Sequence, residues 1–334
     1  MRITQDMLIK LAKDLVANRA RTDKDLVAVY LTGSVAQGDP LLGGSTDIDL
    51  TFVHSEQPPL KREVLRVTAE ISFDIEHHHQ SFYTYHRRLR QNPYYGFALC
   101  NHQNILLDQD HWLEFIQAGV SSRFDAPENV YERAQQFSEK ARNQWFDLND
   151  PQEVPWEAWI ALYFNTIGAT ANAIACLDGP VLTIRRFMLD FTKRAEALEL
   201  LPLVGELTRL LGNENMDEEL YKQWQPIWLE TIDAANKKPG CPVNISKVRK
   251  AYFTQAIEAM AESGSLHATL WPLLETWQQA LICLDESEHH QNWHSFLAVL
   301  GFENERQDDL LQALDHFIEQ SEHIIEEYKK EYNL

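Results

Sequence analysis

The stretch from Tyr30 to Phe52, YLTGSVAQGDPLLGGSTDIDLTF, restricts what this chain can become more than any other. An apolar run over Leu26–Leu31 predicts a buried strand that turns at Gly33-Ser34. A loop holding Gly38, Pro40, Gly43 and Gly44 follows, and the chain then re-enters an apolar segment in which Asp47 and Asp49 alternate with Ile48, Leu50 and Phe52. Residues two apart on a strand share a face. Both carboxylates therefore point one way, and the apolar residues point into a core. Two carboxylates side by side repel each other unless a cation lies between them, and Mg²⁺ favours sites built from a few carboxylates, waters and substrate phosphates. At Gly33-Ser34 the glycine lets backbone N–H groups come close to an anion, as in a phosphate-binding nest. A phosphate cradle beside an acid pair suits a nucleoside triphosphate and its metal. The bland reading of the same residues is a hairpin with a Gly-rich loop and two solvent-facing aspartates.

The pattern G-S-x-x-x-G followed by S-x-D-x-D falls on Gly33, Ser34, Gly38, Ser45, Asp47 and Asp49. It resembles the polymerase-β-like nucleotidyltransferases, and within them the small-molecule, aminoglycoside-type branch and the minimal nucleotidyltransferases. The resemblance covers about the first third of the chain, the length of one small domain. It is not a Walker A loop, since no Lys-Ser/Thr follows the glycines. The resemblance implies Mg²⁺-dependent transfer of a nucleoside monophosphate from an NTP, with ATP the expected nucleotide, to an acceptor hydroxyl, releasing pyrophosphate. It further implies two Mg²⁺ ions held by Asp47, Asp49 and a third carboxylate, and contacts to the nucleotide from Gly33, Ser34, Gly38 and Ser45. The family often carries an Arg just after G-S, where this chain has Val35, Ala36 and Gln37. The residues that neutralise the phosphates are therefore not placed by the sequence.

The third carboxylate is sought in AEISFDIEHHH, residues 69–79, where Ile71, Phe73 and Ile75 alternate with Ser72, Asp74 and Glu76 as in a half-buried strand. Asp74, flanked by apolar residues on both sides, is the preferred ligand. Glu76 is its rival, and serves otherwise as a supporting residue or base. His77, His78 and His79 cannot all ligate one ion from a regular strand, because neighbours alternate faces. They are expected to mark a polar strand end. Arg87, Arg88 and Arg90 end a helix-like segment, either as phosphate contacts or as a solvated terminus.

With 334 residues the chain is long enough for two cores. The reading is α+β: a small mixed-sheet nucleotidyltransferase domain over 1–125, then an all-α bundle over 126–334. A leading helix is expected at 4–19, strands near 26–32, 47–53, 69–79 and 104–107, and a short helix at 60–68 after Pro58-Pro59. From about 127 the apolar period is helical throughout, including a Pro155-initiated helix to about 177. On that helix Asn165, Gly168, Ala169 and Asn172 make a small, polar face that suits either a cleft or close helix packing.

The net charge of −20 is uneven: residues 1–125 hold 13 Lys+Arg against 16 Asp+Glu, and residues 126–334 hold 17 against 34. The acidic part would repel DNA or RNA and attract a cationic small molecule; it is equally an ordinary solvated surface. No apolar stretch long enough to span a membrane is present. Four scattered cysteines read as reduced thiols in a cytoplasmic protein. The preferred activity is transfer to a small, antibiotic-like, cationic acceptor. The alternatives are nucleotidylation of a protein or RNA, and a catalytically silent nucleotide-binding module. Oligomeric state is not legible.

Overall fold

The side chain of Thr4 caps the first helix, α1 (Gln5–Thr22), by accepting the Met7 amide at 3.3 Å. Leu8, Ala12 and Val16 recur at helical spacing and are buried against one face of a sheet. That sheet is built from β1 (Leu26–Leu31), β2 (Thr46–His54), β3 (Arg62–Arg66), β4 (Ile71–His79) and β5 (Ile105–Asp108), in the order β3-β4-β2-β1-β5. β2 and β4 run parallel and the other pairs antiparallel. Ile48, Leu50 and Phe52 of β2 and Ile71, Phe73 and Ile75 of β4 join the α1 face. Burial of each such side chain contributes about 1.5–3 kcal/mol. The opposite face carries acids at one end. Towards the other end it packs Ala28, Tyr30 and Val53 against Tyr83 and against Leu113 and Val120 of the helix Trp112–Ser121.

The computed structural model describes residues 3–150, 154–285 and 287–334. The molecule is α+β, and it divides into two compact units. The first contains the chain up to Ala126 together with Val248–Ala259; the second contains Pro127–Lys247 and Met260–Leu334. The sequence reading gave all of 126–334 to the helical part. The segment Val248–Ala259 goes with the sheet because its side chains and carbonyls are bonded there. Arg249 is ion-paired to Asp47 and Asp74, and the Ser45 hydroxyl donates to the Ala251 carbonyl at 3.3 Å. A Cβ on Gly43 would lie 2.0 Å from the Gln255 carbonyl oxygen, so only glycine admits this approach.

One predicted element is overturned. Residues 60–68 do not form a helix; Arg62–Arg66 is an edge strand paired with β4, Arg62 opposite Glu76 and Val64 opposite Asp74. Pairing with β4 and the side-chain bonds of Arg62 to Asp74 outweigh a helical pattern only two turns long.

The second unit is helical, with long helices at Pro127–Leu148, Trp156–Ala175, Glu218–Ala235 and Gln307–Glu331. Gly168 and Ala169 are buried, and Trp271 lies where a Gly168 Cβ would meet it at 3.0 Å. Asn172 is buried too, its side chain accepting the Leu182 amide at 2.8 Å. Gly168, Ala169 and Asn172 therefore serve packing, whereas Asn165 is exposed and lines a cavity of about 490 Å³ with Glu157, Glu275 and Trp293. Arg142 ties two helices of the unit by bonding Asp315 and Glu322 at 2.7–2.8 Å.

Candidate active site

Parallel pairing of β2 with β4 places Asp49 directly opposite Asp74 and Asp47 opposite Ser72. One carboxylate oxygen from each of Asp47, Asp49 and Asp74 lies within 4.8 Å of the others. Asp47 and Asp74 are buried and Asp49 is half-buried, and Asp49 and Asp74 both line a cavity of about 260 Å³. Its walls include Thr32, Gly33, Arg62, Glu76, Tyr94 and Tyr95. Burial pushes the Asp49 carboxyl well above the usual range, and Asp47 and Asp74 push it further.

Two arginines answer the other two acids. Arg249 donates through Nη2 to Asp47 Oδ2 and through Nη1 to Asp74 Oδ2, both at 2.5 Å. Arg62 grips Asp74 with Nε at 2.7 Å and Nη2 at 2.5 Å, the two-pronged geometry a guanidinium favours. Neither arginine was found from the sequence. Arg62 lay in a segment read as helix, and Arg249 stands some 200 positions from Asp47 with no motif around it.

The turn after β1 forms the short helix α2 (Gly33–Gln37), closed by Gly38 in the left-handed region (φ 87°). Gly33 is confined to glycine twice over: its φ is 62°, and a Cβ there would lie 1.8 Å from Asp49 Oδ2. The backbone of the cradle thus lies directly against the metal-site candidate. The Ser34 hydroxyl is buried and has no hydrogen-bond partner among the described residues. Ser45 is also buried, but its hydroxyl is engaged by the carbonyls of Leu42 and Ala251 and serves to pin the loop.

Glu76 lies on the same strand face as Asp74, opposite Thr51, and outside the triad. The His78 ring 3.6 Å away, and more weakly Arg62 and Tyr95, hold the carboxyl below its usual range against partial burial. Behind it, the His78 ring bonds the Tyr83 hydroxyl at 2.8 Å, which bonds Tyr30 at 2.9 Å in the core. These bonds hold the His78 ring beside Glu76.

The consecutive histidines part company as alternation requires. His77 bonds His54 at 2.9 Å and Glu63 at 3.2 Å, His78 bonds Tyr83, and His79 bonds Ser81 and the Ser55 carbonyl. Burial lowers the pKa of both His54 and His77 below the ordinary 6.5. The unfolded chain therefore binds these protons more readily, and the stability is present above about pH 6.5 and lost as pH falls. His54→Gln should flatten that loss: between pH 7 and 5.5 its thermal midpoint should drop less than that of the wild type. Parallel curves would dismiss the pair as the source.

Arg87, Arg88 and Arg90 stand on the short helix His86–Arg90. Arg90 is tied to the Gly119 carbonyl at 2.5 Å and Arg88 lies over the Tyr85 ring at 5.0 Å.

No family model and no curated protein matches the chain. Among solved structures it is similar to a nucleotidyltransferase-like protein from Exiguobacterium sibiricum 255-15, at 12% identity over 93% of this chain and 91% of that one, with a TM-score of 0.30. No helix among the described residues is long and apolar enough to cross a membrane.

Proposed function

We propose that the chain is a Mg²⁺-dependent nucleotidyltransferase that moves a nucleoside monophosphate from an NTP, ATP in the first instance, to a hydroxyl of a small acceptor. The observation that carries this reading is the convergence of Asp47, Asp49 and Asp74 beside the Gly33-Ser34 turn. The donor set fits the metal. Its ligand atoms are all carboxylate oxygens, which suit Mg²⁺. Three carboxylates face two guanidinium groups, leaving negative charge for a cation to neutralise, and that excess falls on Asp49.

Asp47, Asp49 and Asp74 would hold the ions, two by the family's pattern. A divalent cation at such a site supplies charge stabilisation of the transferring phosphoryl group and a lowered acceptor-hydroxyl pKa. The Gly33 backbone and Ser34, whose hydroxyl is otherwise unused, would contact the β- and γ-phosphates. Gly38 and Ser45 would act indirectly, holding the loop's shape. Arg62, held by Asp74 of β4 beside the cavity, adds positive charge near the phosphates. The acceptor's proton would pass to a carboxylate on this strand face, Asp74 or Glu76, and the ionised Glu76 would orient the hydroxyl.

The acceptor class follows from charge. The first 125 residues are near balance while the rest hold 17 Lys+Arg against 34 Asp+Glu, which favours a cationic, hydroxylated small molecule over nucleic acid. Incubation with each labelled NTP and Mg²⁺ over aminoglycosides, lincosamides, tRNA and cell lysate tests the reading. Label should move to a cationic small molecule, less efficiently as salt rises past the point where the Debye length is about 8 Å. Label on tRNA or protein would redirect the acceptor assignment; no transfer from any NTP to any acceptor would leave a silent binding module.

A further inference from the structure

Arg249 occupies the ground between two carboxylates that the reading above gives to a divalent ion. Its Nη atoms lie 2.5 Å from Asp47 Oδ2 and Asp74 Oδ2. A guanidinium has donors only, so it cannot ligate a metal, and an ion bridging Asp47 Oδ2 and Asp74 Oδ2 would have to take the place of these two Nη atoms. It is also a redundant partner for Asp74, both of whose oxygens are already gripped by Arg62. The fit is incomplete as well: Arg249 Nε is buried and has no hydrogen-bond acceptor among the described residues. The two arginines differ in how they are held. Arg62 is in the β-ladder opposite Glu76, whereas Arg249 stands in a turn just before the helix Lys250–Glu262. Its guanidinium lies 4.8 Å from the Tyr252 ring, a surface along which it can rest when displaced. Of the two, Arg249 is the one that can withdraw without disturbing the sheet.

We propose that Arg249 is a resident counter-cation. It holds Asp47 and Asp74 together in the metal-free protein and has to leave them when a divalent ion binds, so that metal affinity is set by competition with an internal guanidinium. This rests on the metal-site reading of the triad. Its consequence is a carboxylate cluster that stays assembled without metal, at the expense of metal affinity.

Mn²⁺ is a suitable probe, its binding followed from the electron paramagnetic resonance signal of the free ion without nucleotide. Arg249→Met should bind Mn²⁺ about tenfold more tightly than the wild type, a coupling within the usual range for linked sites. Mn²⁺ should also raise its melting temperature more than that of the wild type. Arg249→Lys, which reaches one carboxylate at a time, should fall between the two, and it carries the comparison if Arg249→Met does not fold. Equal affinity in the wild type and the Arg249 variants, with binding lost in Asp49→Asn, would overturn the competition and leave the metal site standing. Absence of Mn²⁺ binding in every form would overturn both.

Discussion

Asp49→Asn should abolish nucleotidyl transfer and, in the metal-free protein, raise the melting temperature. The two effects share one cause. Asp49 is pushed towards its neutral form first by burial and then by Asp47 and Asp74, while Arg249 and Arg62 offset this only in part. An amide of the same shape removes the repelled charge, so the cluster relaxes. Catalysis loses a ligand that lines the cavity. A divalent cation stabilises a phosphoryl transition state by several kcal/mol, and each 1.36 kcal/mol is tenfold, so turnover should fall by about 10³ or more. Asp47→Asn should be equally inactive but less stable, because Asp47 is buried and paired with Arg249. Thermal melts in chelator beside single-turnover assays distinguish the variants. Retained turnover in Asp49→Asn would remove the metal-site reading, and a lowered melting temperature would show that the Asp49 charge is satisfied in the fold.

Much of this site was legible because its parts are local. The period of two put Asp47 and Asp49 on one face of their strand and Asp74 with Glu76 on the polar face of another; the family resemblance supplied the expectation that a third carboxylate joins the pair, and flanking hydrophobicity preferred Asp74 to Glu76. The parallel register puts Asp49 opposite Asp74 and Thr51 opposite Glu76. Residues 60–68 misled because a short amphipathic run reads equally as a turn or two of helix or an edge strand, and only pairing with β4 decides. Arg249 was out of reach for another reason. Its partner Asp47 lies some 200 residues away, and nothing in the local pattern VNISKVRKAYF separates an arginine that crosses to the sheet from one facing solvent. The long helices were legible from their periodicity. The small face of Trp156–Ala175 was ambiguous because it does both: Trp271 packs against Gly168, while Asn165 lines a cavity.

Asp74 and Glu76 should separate cleanly when each is replaced by its amide. Asp74 is buried and accepts from two arginines, one of them nearly as buried as itself. Removing one partner of a buried ion pair typically costs 3–5 kcal/mol; here Asp47 continues to hold Arg249 and Arg62 is a third exposed, so Asp74→Asn should cost about 2–3 kcal/mol. Glu76 is more open to solvent, and its loss leaves no cation stranded, so Glu76→Gln should be nearly neutral in stability. In turnover per folded molecule, Asp74→Asn should fall about 10³-fold with the loss of a metal ligand. Glu76→Gln should fall about 10–100-fold, as for a group that orients rather than ligates. The Mn²⁺ titration gives a readout that folding alone does not move: affinity should drop in Asp74→Asn and hold in Glu76→Gln. A reversed order, with Mn²⁺ affinity lost in Glu76→Gln, would transfer the third metal ligand to Glu76 and leave Asp74 as the carboxylate that anchors Arg62 and Arg249.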